Sequence, residues 1–135
     1  MNQKYINETF KQAKKAYKKN EIPVGCIIVK NNKIIAKSYN RVEKTKKCTN
    51  HAEIIAINRA SKKIKNWRLN DCEMYVTLEP CQMCKSAIKL SRIKKVYYFL
   101  KSDKKIIIND EIYEHIEKYS SYSKKIIQKL FIKLR

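Results

Sequence analysis

With 135 residues, the chain has material for one hydrophobic core and not for two, and 44% apolar residues with one Gly and two Pro exclude a disordered chain. A formal charge of +20 favours a polyanionic partner, nucleic acid or anionic lipid; lysine supplies 27 of the 32 basic residues, a bias that an AT-rich genome writes whatever the protein does, so the sign of the charge is more informative than its size. No apolar run approaches the roughly 18 residues of a membrane span and the start MNQKYINETF has no signal-peptide core, so no membrane association and a cytoplasmic location are expected, with five reduced cysteines available for metal, catalysis or burial.

Residues 4–19 place Ile6, Phe10, Ala13 and Tyr17 at helical spacing with lysines opposite, an amphipathic helix suited to covering one face of a sheet. IPVGCIIVKNNKIIAKSYN then reads as a hairpin, two β-branched runs around Asn31 and Asn32, which tolerate positive φ. Gly25, the only glycine, lies inside the first run, where glycine marks a bulge or a close backbone approach, by a flat base or by a packed neighbour. A polar, irregular loop from Asn40 to Asn50 precedes HAEIIAINRASKKI, a helix with apolar residues around much of its circumference, as packing on a sheet and on a partner requires. EMYVTL reads as a central strand, CQMCKSAIKL as a helix starting just after Pro80, and KKVYYFL as another strand. Residues 110–134 carry helical patterns, best at Ile126, Ile127, Leu130, Phe131 and Leu134, which predict a basic terminal helix over about 122–134. A fifth strand is weakly marked around Ile106 to Ile108. Strands alternating with helices imply crossover connections and a layered α/β sheet, and the chain shows no repeat, linker or second-domain boundary, so residues 1–135 are expected to form a single domain.

The chemistry concentrates at two helix starts. In TLEPCQMC, Cys81 and Cys84 lie three apart in a first helical turn and point the same way, and the helix N-terminus favours their thiolates. Alone the pair is a metal site, a redox pair or two small core residues. His51 opens the preceding helix, and in a layered α/β unit both helix starts lie on one edge of the sheet, so the imidazole and the thiols can converge. One nitrogen and two sulfurs suit zinc, and three protein ligands leave the fourth tetrahedral position to water, as in a catalytic site. Glu53, two residues after His51, is placed to take a proton from that water. HAE followed by PCQMC is the H-x-E and P-C-x-x-C signature of the zinc deaminases.

IPVGCIIVKNNKIIAKSYNR, HAEIIAI, WRLNDCEMYVTLEPCQMCKSAI and SRIKKVYY resemble the corresponding stretches of the bacterial tRNA adenosine deaminases of the TadA type, from about Glu21 to Tyr98. The resemblance implies a three-layer α/β/α cytidine-deaminase-like fold with a mixed sheet of four to five strands, a homodimer, and conversion of the wobble adenosine of a tRNA anticodon to inosine. It implies zinc ligands at His51, Cys81 and Cys84, the proton shuttle at Glu53, and a base pocket lined by Val24, Asn40, Ala52 and Leu78. Guanine and deoxycytidylate deaminases share both motifs and are the first competing reading, and a non-catalytic RNA-binding relative is the second; EPCQMC followed by SRI favours the tRNA enzymes, and the intact Glu53 with all three ligands speaks against a binding module. KSDKKIIIND departs from the loop those enzymes carry, whereas KLFIKLR resembles their terminal basic helix.

Among the remaining candidates, Cys26, Cys48 and Cys72 are expected to be non-ligands and Glu79 a carboxylate that bonds nearby amides. Asn40 offers a donor and an acceptor to a purine or ribose, or serves as an ordinary turn residue. Trp67 and the tyrosines can stack on bases but belong mostly to core or rim. His115 lies in a charged stretch expected to be exposed and is no fourth ligand.

Overall fold

The architecture comes from a computed structural model that describes residues 2–102 and 110–117. It comprises α1 (Gln3–Lys18), β1 (Gly25–Lys30), β2 (Lys33–Tyr39), α2 (Val42–Thr45), α3 (Ala52–Ile64), β3 (Cys72–Leu78), α4 (Gln82–Leu90), β4 (Lys95–Leu100) and β5 (Tyr113–His115). The five strands form one sheet in the order β2-β1-β3-β4-β5. β1 is antiparallel to both β2 and β3, while β4 runs parallel to β3 and β5 parallel to β4. The sheet is therefore mixed, with five strands, as the resemblance implies.

Helices cover both faces. α1 turns Tyr5, Ile6 and Phe10 onto Ile27, Val29, Tyr75 and Phe99 on one face, and Ala52, Ala56 and Ala60 of α3 with Ile88 of α4 pack over Cys26, Ile28, Met74, Val76 and Val96 on the other. Strand alternation divides β1 and β3 between the two cores, and β3, at the centre of the sheet, is buried along most of its length. Each fully buried large apolar side chain contributes about 1.5–3 kcal/mol, so two filled faces stabilise the layers without a disulfide; all five cysteines are free thiols.

Local sequence explains the boundaries. Asn2 caps α1, its side chain accepting from the Lys4 N–H at 2.9 Å. Asn31 and Asn32 adopt φ of 50° and 60°, the left-handed pair that a tight two-residue hairpin turn requires. The hairpin carries an irregularity between Ile28 and Val29, where Ile35 has no partner opposite it. Gly25 allows a close backbone approach: a Cβ there would overlap the Thr9 carbonyl oxygen and the Ala13 amide nitrogen and lie 2.8 Å from Gln12 Cβ. The two readings of Gly25 are thereby decided, because the backbone that approaches it is that of α1.

Three expectations need correction. The 40–50 loop contains one helical turn, α2, which a polar sequence without periodicity did not announce. Residues 113–115, read with the helical C-terminal third, form β5 instead. The Ile112 carbonyl accepts from Val96 N–H at 2.7 Å and the Ile116 N–H donates to Tyr98 O at 2.9 Å, so pairing with an open sheet edge outweighs a weak helical spacing. His115 is not exposed: its ring stacks on Tyr98 at 5.1 Å between centroids and its Nε2 lies 3.1 Å from Phe99 O. The expected strand around 106–108 and the terminal helix over about 122–134 lie outside the described residues. Among the described residues, no helix is long and apolar enough to cross a membrane.

Candidate metal centre and cavity

The sheet topology brings the two helix starts together. β2 and β3 run the same way because each is antiparallel to β1 between them, so the chain leaves both at one edge of the sheet, towards α3 from β2 and towards α4 from β3. His51 is the N-cap of α3 and Cys81 the N-cap of α4, each with extended backbone and neither with a side-chain capping bond. Positions that normally spend a Ser, Thr, Asp or Asn on the helix's own amides here turn an imidazole and a thiol to a common point.

His51 Nδ1 lies 3.6 Å from Cys81 Sγ and 3.6 Å from Cys84 Sγ, and the three donor atoms fall within 4.8 Å of one another. A tetrahedral zinc with ordinary Zn–N and Zn–S bonds separates a nitrogen from a sulfur ligand by about 3.6 Å. The donor set therefore fits zinc in spacing as well as in kind. Desolvation lowers the His51 pKa and so favours the neutral ring that binds metal, while a hydrogen bond to the Cys48 backbone opposes the shift and holds the ring's orientation. Burial, and after it the neighbouring Glu53, pushes the Cys84 thiol far above its ordinary range. A buried thiol with that environment needs a cation to ionise, and two convergent helix N-termini alone do not supply one.

Glu53, in the first turn of α3, is buried at 4% exposure. Desolvation lifts its carboxyl to about 7, opposed by its own backbone N–H and by a hydrogen bond with Cys84. A group that exchanges a proton near neutrality beside three metal donors has the properties of a general acid and base.

His51, Glu53 and Cys81 border a cavity of about 540 Å³ whose walls also include Val24, Asn40 and Leu78. The Asn40 N–H donates to Val24 O at 3.1 Å. Of the expected base-pocket residues, Val24, Asn40 and Leu78 line this space, whereas Ala52 is wholly buried in the core. Glu79 accepts the Ser102 N–H at 3.0 Å, a carboxylate that bonds an amide, as expected. Cys26 and Cys72 are buried in strands and Cys48 is exposed, all outside the donor cluster. Trp67 is 52% exposed, with the Arg68 guanidinium 4.4 Å over its ring.

Residues 1–100 match the family described as the cytidine and deoxycytidylate deaminase zinc-binding region. The chain belongs to this deaminase family. A relative from Aquifex aeolicus (strain VF5), named a tRNA-specific adenosine deaminase, is 40% identical over 143 residues, 97% of this chain and 94% of its own length. Other curated relatives of that name match over 94 or 95 residues, and the chain spans only 55 to 66% of their length. A structure from a study of A-to-I editing by tRNA deaminases at the wobble position of transfer RNA superposes with a TM-score of 0.73 at 36% identity, covering 75% of this chain and 78% of that one. A guanine deaminase from Bacillus subtilis superposes with a TM-score of 0.70 at 26% identity, covering 96% and 94%. In this deaminase family the matched segment is the zinc-binding region, and the His51, Cys81 and Cys84 cluster lies inside it.

Two features of the deaminase site escaped sequence reasoning. The Cys48 carbonyl region that orients His51 leaves no signal, since any residue supplies a backbone. Glu21 is buried at 6% and bonds the amides of Glu43 and Lys44; its partners stand more than twenty positions away, beyond any local pattern.

Proposed function

We propose that the chain is a hydrolytic, zinc-dependent deaminase that converts adenosine to inosine in tRNA, at the wobble position of an anticodon loop. The observation that carries this is the meeting of one imidazole, two thiols and a buried carboxyl, of which His51, Cys81 and Glu53 line a cavity large enough for a purine. His51, Cys81 and Cys84 are the proposed holders of zinc, and zinc supplies Lewis acidity toward water. Glu53 takes a proton from the attacking water and returns protons to the purine ring nitrogen and the departing amine. Asn40 binds the ribose or base edge by its amide, while Val24 and Leu78 flank the ring and exclude solvent. The target base must be single-stranded or flipped out to reach Glu53, which an anticodon loop satisfies, and a charge of +20 suits the flanking phosphates.

The relative that matches nearly the whole chain, and the higher identity to the wobble-editing structure than to the guanine deaminase, support RNA over a free base. The proposal extends to a single domain over residues 1–135 that acts as a homodimer in the cytoplasm. Incubating the purified protein with an arginine tRNA bearing an ACG anticodon, then reverse-transcribing it, should read A as G at the wobble position. No conversion there, with turnover of free guanine or deoxycytidylate, would establish the small-molecule reading instead.

A further inference from the structure

Among the residues that line the cavity, Glu21 is acidic and buried yet belongs neither to the metal donors nor to the proton shuttle. Its N–H donates to Ala16 O at 3.0 Å, which fixes it to the end of α1. Its two carboxylate oxygens reach into the 40–50 loop: Oε1 accepts the Glu43 N–H at 3.0 Å and Oε2 accepts the Lys44 N–H at 2.9 Å. These amides belong to the first turn of α2, where they would otherwise have no intrahelical acceptor. α2 cannot satisfy them from its own sequence, because Arg41 stands at its N-cap, with φ −137° and ψ 28°, and makes no side-chain capping bond.

The grip is transmitted towards the site through hydrogen bonds. Thr45 Oγ1 donates to Arg41 O at 2.7 Å, Asn50 Nδ2 donates to Thr45 Oγ1 at 2.9 Å, and the Arg41 N–H donates to Asn50 O at 3.1 Å, which closes the loop on itself. One end of the loop is Asn40 and the other abuts His51, and Val42 and Glu43 between them form part of the cavity wall.

We propose that Glu21 is a positioning residue for the substrate base: by holding the Glu43 and Lys44 amides it keeps the 40–50 loop, and with it Asn40, in the shape that receives the nucleotide. This rests on the deaminase reading above. α3 and α4 are anchored by the sheet core, so Glu53, Cys81 and Cys84 do not depend on Glu21; His51 is the one donor oriented from the 40–50 loop, through the Cys48 backbone. Without the grip, the loop must be ordered each time substrate binds, and that cost falls on binding before it falls on chemistry.

Glu21→Gln tests this, because a side-chain amide keeps the shape but offers only one accepting oxygen to two N–H groups. Expected are one zinc per chain at saturating metal, kcat little altered, and KM for an anticodon stem-loop raised about tenfold, as loss of a hydrogen bond to a charged acceptor implies. Amide exchange at Glu43 and Lys44 should accelerate about tenfold or more while β1 and β3 stay protected. Asn50→Ala interrupts the same linkage further along, so its KM effect should add less than fully to that of Glu21→Gln. The proposal is overturned by unchanged KM, by unchanged exchange at the two amides, or by a fall in kcat with constant KM and faster exchange throughout, the mark of global destabilisation. If the substrate proves to be a free base, the same KM comparison is made on that base, and the exchange result stands on its own. Failure of the RNA reading and failure of the Glu21 assignment thus give different results.

Discussion

Gly25→Ala should destabilise the fold without acting on the chemistry. The added Cβ would overlap two backbone atoms of α1, so no side-chain rotation relieves it, and it would sit 2.8 Å from Gln12 Cβ where ordinary contact begins at 3.4 Å. α1 must therefore retreat from β1 by more than 0.6 Å, the difference between those two distances. A gap of about 0.5–1 Å forfeits a quarter to a half of the dispersion attraction across it. The interface depends on Tyr5, Ile6 and Phe10, each worth about 1.5–3 kcal/mol when buried, so the expected loss is about 1–4 kcal/mol, a large share of a total stability of about 5–15 kcal/mol. Urea unfolding of the zinc-saturated protein, followed by far-UV circular dichroism, should show a lower midpoint with an unchanged slope, and kcat per folded molecule should match the parent. A midpoint shift worth less than about 0.5 kcal/mol, which is what an ordinary surface substitution gives, would refute the close helix approach. Lost activity at full stability would restore the alternative of a base lying against this glycine.

The other predictions concern the site. Glu53→Gln should retain one zinc per chain and lower kcat by roughly 10²–10⁴, measured as inosine formed under saturating RNA; wild-type activity would remove Glu53 from the mechanism. Cys84→Ala should lose both zinc, by elemental analysis, and activity, and chelation of the parent should abolish turnover that zinc restores and magnesium does not, since thiolates select the softer ion. Asn40→Ala should raise KM by about tenfold or more, the worth of a good hydrogen bond to substrate, with zinc content unaffected, and an unchanged KM would return Asn40 to the role of a turn residue.

What could be read from the sequence was whatever has a local period or a fixed spacing. Ile6, Phe10 and Ala13 announce α1 within a few residues, and Asn31 with Asn32 announces the hairpin because so few residue types accept two positive φ angles in succession. His51, Glu53, Cys81 and Cys84 were legible because each pair lies within a single helical turn, so spacing alone sets its geometry. Features specified from a distance were not. α2 is one turn long and is capped by Glu21 from the far end of the hairpin. β5 is three residues long, too short for alternation to register, and exists because β4 leaves an edge to pair with. Ala52 stands between His51 and Glu53, which line the cavity, while its own side chain lies in the core.

The placement of the metal donors has its own logic. An N-cap side chain ordinarily contributes about 1 kcal/mol to its helix, and both α3 and α4 forgo that by seating His51 and Cys81 at their caps. In exchange the donors stand where the backbone changes direction, outside the helix cylinder, at the one edge of the sheet to which β2 and β3 both point. Cys84, a turn further in, is buried to the point that its thiol resists ionisation. A dication held by His51, Cys81 and Cys84 would answer all three demands together: it would organise two helix starts that lack side-chain caps, favour the thiolate of the buried Cys84, and favour the ionised form of Glu53 that accepts a proton. The same antiparallel β1 that aligns β2 with β3 is the strand on which α1 sits through Gly25. Helix-to-sheet contact on one face and donor geometry on the other thus share a single strand, and the strand that must accept a helix backbone at van der Waals contact is also the one that sets where His51 and Cys81 can meet.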